Sequence, residues 1–166
     1  MTLQMTEFDS SRRIFVSYID KSREYYLAGG YGNPYRWAHN ENSPFTPLAK
    51  PLGQSRVALI STAALTRESG SLMEVYAAPA EPPPVALFTD HRSWDRKATH
   101  TRDVESFLPI RRVAEFAAGG RVGDLSPRFY GVPTDFSQRR TVEKYAPAVL
   151  DLCRADAVDV ALLVPL

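Results

Sequence analysis

The sequence predicts an α/β fold: a mainly parallel sheet in three layers, Rossmann or flavodoxin-like, with an N-terminal helix and an aromatic arm packed on it. Two strands and the segments between them carry that prediction. Arg56-Val-Ala-Leu-Ile-Ser-Thr62 is a short aliphatic run of strand length. Val160 to Val164 is an unbroken apolar run entered from the acidic turn Asp156-Ala-Val-Asp159, and it reads as a central parallel strand buried on both faces. Two stretches of helical periodicity lie between them, the alternation that parallel strands joined by crossovers require.

At 166 residues the chain is long enough to bury a sizeable core. It divides into a helix and wrapping arm over 1–55 and an α/β domain over 56–166, the latter expected to be the N-terminal part of a longer domain. The formal charge of +1 gives no reason to expect a nucleic-acid or membrane surface, and no stretch approaches the apolar length of a membrane span. The first residues lack the basic and apolar regions of a signal peptide. One cysteine excludes an internal disulfide, so a reducing cytoplasm is the expected location.

Taken in order, Ile14, Phe15, Tyr18, Ile19, Tyr25 and Tyr26 form one helical stripe over Ser11 to Ala28, with Asp9 or Ser10 as cap and Gly29-Gly30 as stop. Tyr31 to Leu48 is rich in Pro, Gly and Asn and carries four aromatics, which are costly to leave in water; it reads as an arm wrapped over the domain. The strand Arg56–Thr62 follows, and its carboxyl end is where open α/β sheets hold ligands. No G-x-G-x-x-G or G-x-x-x-x-G-K-[ST] comes after it, so dinucleotide and P-loop fingerprints are absent. Pro82-Pro-Pro84 delivers a short candidate strand, Val85 to Phe88. A helix starts at Pro109, carries Ile110, Val113, Ala114 and Ala117 on its apolar stripe and stops at Gly119-Gly120. A second helix runs over roughly 137–155 with Val142, Tyr145, Ala146, Val149, Leu152 and Cys153 on its stripe, and Pro147 should kink it or start a new turn. Cys153 on that stripe reads as packing.

The polar stretch Asp90 to Asp103 holds His91 and His100 with carboxylates beside them, the residue types of acid–base and metal chemistry. The spacing from His91 to His100 fits no zinc motif, and no metal is assigned.

Several stretches resemble the glycine, sarcosine, betaine and D-proline reductases, specifically the selenoprotein B component and its bacterial relatives. They are Phe45-Thr-Pro-Leu-Ala-Lys-Pro-Leu52 leading into Arg56–Thr62, then His100-Thr-Arg-Asp103, Phe107-Leu-Pro-Ile-Arg-Arg-Val113 and Gly119-Gly-Arg-Val-Gly123, and finally Asp156 to Pro165. In that family a selenocysteine- or cysteine-containing motif, U-x-x-C or C-x-x-C, follows the strand corresponding to Val160–Val164. The resemblance therefore implies a selenol- or thiol-based oxidoreductase that cleaves a carbon–nitrogen bond alpha to a carboxylate. Its substrate is a small amino-acid-like molecule, and a thiol or selenol carrier protein is the implied partner. This chain carries no such motif. Selenocysteine is encoded by UGA, ordinarily a stop codon, so the expectation is a reading frame that continues past Leu166 and a 166-residue chain that is inactive by itself.

Within that implied chemistry, His100 and Asp103 are the candidates for proton donor and orienter. Ser61 and Thr62 at the first strand's tip, with Arg128 and Tyr130 to hold a carboxylate, are the candidate substrate-binding residues. The competing expectation is a non-catalytic α/β binding or interaction protein complete at Leu166. A central terminal strand favours the first reading; an edge position, or a tip sealed by the arm, favours the second. Uncovered sheet edges and apolar faces predict a homo-oligomer, foremost a dimer.

Overall fold

A computed structural model describes residues 23–30, 41–42, 46–66, 74–89, 100–135 and 137–166. The chain divides into two compact units, Met1–Ser43 and Pro44–Leu166. In the first, residues 23–28 are helical and the helix stops at the expected glycine pair, where Gly30 takes a φ of 81°. The proposed cap at Asp9 or Ser10 and most of the Tyr31–Leu48 arm lie outside the described residues.

The second unit is an open, mostly parallel five-stranded sheet with helices: β1 (Arg56–Ser61), β2 (Tyr76–Pro79), β3 (Asp124–Leu125), β4 (Arg128–Gly131) and β5 (Val160–Val164). The helices are α1 (Ile110–Ala118), α2 (Gln138–Arg140) and α3 (Ala146–Ala155). β1 is the hub. β5 lies parallel along one side of it, while β3 and β4 share the other, and β2 closes that side antiparallel to β4. β3 and β4 act as one broken strand: Ser126 and Pro127 bulge between them, and the Ser126 N–H still bonds to Val57 O at 2.7 Å. Gly123 precedes the bulge because a Cβ there would collide with the Gln54–Ser55 backbone.

Alternation along β1 splits the core. Val57 and Leu59 pack with Phe129, Ile110 and Val113 in one cluster, while Ala58 and Ile60 pack with Tyr130, Val149 and Cys153 in the other. Cys153 is buried, as a packing role requires. Both helix ends use a left-handed C′ residue: Gly120 after α1 and, less comfortably, Ala157 after α3 at a φ of 53°. In each case the reverse turn returns the chain to the strand that follows.

Three sequence expectations are corrected. β5 exists, but it pairs with β1 alone among the described residues and Leu163 is 76 % exposed, so it is an edge strand and not a central one buried on both faces. A five-residue run cannot state which side of its hub it will occupy, since that depends on hydrogen bonds to residues a hundred positions away. Val85–Phe88 forms no strand: Phe88 makes an isolated bridge to Ala64 and Val85 is exposed, as expected where prolines have removed donors. In the second helix a π turn over Thr141–Tyr145 precedes α3. Pro147 has no N–H for the carbonyl four residues back, and the ladder widens just upstream. The extra residue per turn rotates Val142 off the stripe, leaving it 70 % exposed, while Tyr145, Val149 and Cys153 stay buried.

Candidate functional site

Because β1 and β5 run parallel and in register, Val57 beside Val160 and Ser61 beside Val164, their carboxyl tips lie side by side. Ser61 is buried and its hydroxyl accepts the Ala63 N–H at 3.2 Å, forming a small turn as β1 ends. The Thr62 hydroxyl donates to Leu166 O at 3.1 Å and accepts the Leu166 N–H at 2.9 Å, tying the two strand ends together. The Tyr76 phenol donates to Ala63 O at 2.6 Å, and burial pushes its pKa up, so it stays a neutral donor. Gly131 lies against the Tyr76 ring, where a Cβ would collide. The tip is thus a small platform held by uncharged side chains and backbone.

The other predicted site residues lie elsewhere. Arg128 begins β4, at the amino end of the sheet, and grips Asp156 with two bonds, Nε to Oδ2 at 2.8 Å and Nη2 to Oδ1 at 2.9 Å. The buried Tyr130 phenol donates to the same carboxylate at 2.6 Å, with the Ser126 hydroxyl 3.3 Å away. The Arg128 guanidinium, helped by Tyr130 and opposed by burial, holds the Asp156 carboxyl below its usual range. Burial and the bond to Asp156 push the Tyr130 phenol up to about 12. Arg56 completes the network: its guanidinium donates to the Asp156 carbonyl at 2.8 Å and to Asp124, and its N–H donates to the Asp159 carboxylate at 2.7 Å. Lys50 pairs with Asp159 at 2.8 Å. In this arrangement Arg128 and Tyr130 meet a carboxylate, and that carboxylate belongs to the chain.

His100 and Asp103 are exposed, just ahead of the anchor formed by the buried Val104, Phe107 and Leu108. The Asp103 backbone carbonyl accepts from the Ser106 hydroxyl at 2.7 Å. Among the described residues no hydrogen bond joins His100 or Asp103 to Ser61, Thr62, Arg128 or Tyr130, so the structure brings Ser61 with Thr62 and Arg128 with Tyr130, not all six. His91 lies outside the described residues, and no group of three or more metal-ligating side chains is present among those described.

Sequence reading missed Asp156 and Tyr76. A signal for Asp156 was available: it follows α3, and a carboxylate at a helix C-terminus opposes the helix dipole unless a cation offsets it. For Tyr76 there was none. A third feature missed is a groove of about 410 Å³ between α3 and β5, walled by Ile60, Tyr145, Val149, Leu150, Cys153 and Leu163. Burial raises the Cys153 thiol pKa, the opposite of what a nucleophile needs. No helix among the described residues is long and apolar enough to cross a membrane. Comparison with protein-family models, with curated proteins and with solved structures finds no match to this chain.

Proposed function

We propose that this chain is the scaffold of a reductase-like oxidoreductase of the selenoprotein B type, with a three-layer, Rossmann or flavodoxin-like architecture. The observation that carries the reading is the parallel pairing of β1 and β5, with the two tips tied together through Thr62 and Leu166. Ligands in open α/β sheets bind at such carboxyl tips. The opposite end is occupied by the chain's own ion pairs. The redox-active selenol or thiol comes from outside these 166 residues, since the chain's one cysteine is Cys153, on the buried face of α3. The neutral platform of Ser61, Thr62 and the Tyr76 phenol forms the floor on which a small amino-acid-like substrate rests. His100 and Asp103 are the proposed proton donor and orienter, and both are exposed.

A second reading, an interaction protein without chemistry of its own, is favoured by the edge position of β5 and the apolar groove beside it. One experiment separates the two: sequencing the transcript downstream of the Leu166 codon, together with the intact mass and selenium content of the native protein. The reductase reading expects a frame that passes through UGA into U-x-x-C and a native mass above 18.5 kDa. A selenium-free native protein of 18.5 kDa overturns it in favour of the second.

A further inference from the structure

We propose that the β5 edge is a self-association surface: two copies of the 166-residue chain pair their β5 strands antiparallel about a twofold axis at Leu162. β5 is apolar on both faces and carries no charge, Val-Ala-Leu-Leu-Val, whereas edge strands that stay single are usually interrupted by charge or proline. Antiparallel pairing about Leu162 sets Leu162 against its own mate, Ala161 opposite Leu163 and Val160 opposite Val164, so every cross-strand pair is apolar and no like charges meet. Leu162 and Leu163 are 43 % and 76 % exposed before pairing.

The helix beside the strand supplies the charge complementarity that selects a second copy. Leu150, 48 % exposed, lines the groove. The helical row through it contains Glu143, Pro147, Leu150 and Arg154. The same axis runs this row antiparallel to its mate, with Pro147 facing the mate's Leu150 and Glu143 facing the mate's Arg154. The row is self-complementary in charge. Within one chain both groups are loosely held: Glu143 lies 3.7 Å from Arg139, and Arg154 lies 4.0 Å from Asp151. Both are largely exposed, with side chains 63 % and 71 % accessible. Row and strand are each about 17 Å long. The wall they form, two layers high, supplies on the order of 600 Å² per copy, the lower bound for a stable dimer. Across the axis the two grooves merge over a floor of Ala161 and Leu163 from both copies, walled by the two α3 helices.

The inference is independent of the redox reading, and its test needs no activity. Sedimentation of the 166-residue chain at tens of micromolar should give twice 18.5 kDa. Leu163→Lys, at a position outside the core, should raise the dissociation constant at least about a hundredfold while leaving the circular dichroism unchanged. Glu143→Arg and Arg154→Glu should each weaken the dimer about tenfold, and the double exchange should restore it. A wild-type monomer, an open-ended oligomer, a Leu163→Lys dimer of unchanged affinity, or a double exchange no better than either single change would each overturn the proposal.

Discussion

The two ends of the sheet are built on opposite principles. At the amino ends of the strands, Arg56, Asp124, Arg128, Asp156, Asp159 and Lys50 form a charged lattice that fastens β1, β3, β4 and β5 to one another and to the C-terminus of α3. At the tips of β1 and β5 the side chains that make the contacts are uncharged: a Ser61 turn, the Thr62 clasp on Leu166 and the Tyr76 phenol on Ala63. Charged hydrogen bonds are stronger and more demanding in geometry than neutral ones. The difference implies that the amino end fixes the fold, whereas the carboxyl end can exchange its few hydroxyl contacts for those of a ligand at modest cost.

Removing the anchor of the charged end should have the largest effect. Asp156→Ala leaves the buried Tyr130 phenol without its main acceptor and Arg128 without its partner, and should destabilise the fold by about 3 kcal/mol in urea unfolding. If the loss is below about 1 kcal/mol, the charged end is not the fastening the contrast assumes. At the neutral end, Thr62→Val keeps the shape and deletes both bonds to Leu166, and should cost only about 1 kcal/mol. Hydrogen exchange at the Leu166 amide should accelerate in this variant, yet not in Asp156→Ala measured under conditions where that protein stays folded. The smallest effect is that of pH. Asp156 and Asp159 titrate below the usual carboxylate range in the folded chain, Asp156 chiefly through Arg128 and Asp159 chiefly through Lys50. The stabilisation is therefore complete above the unfolded pKa of about 3.9 and is lost as pH falls from about 5 through the lower folded values. The loss should stay small, because the pairs are partly exposed and solvent screens them. Asp156→Asn should flatten the acid slope, and an unchanged slope would locate the titrating groups elsewhere.

What was legible in the sequence was local. The aliphatic run at Arg56–Ser61 announced the hub strand, the glycine pairs at 29–30 and 119–120 announced helix ends, and the Val149–Cys153 spacing announced a buried face. Strands of two to four residues, such as Tyr76–Pro79 or Asp124–Leu125, have too few positions to show alternation, and they exist because a neighbour supplies the ladder. The candidate site shows the same division. Arg128 and Tyr130 have the chemistry to hold a carboxylate, and the place of Asp156 after a helix calls for a cation without saying which one supplies it.

The sequence by itself determined the α/β composition, the existence and direction of β1 and β5, the helix stops and the burial of Cys153, because each follows from short-range periodicity or a glycine's freedom at positive φ. Only the tertiary structure decided that β5 is an edge, that Arg128 is already satisfied, and that an apolar groove lies between α3 and β5. Those outcomes depend on hydrogen bonds and ion pairs between residues far apart in the chain, whose pairing is set by the balance of the whole sheet rather than by any segment's own preference.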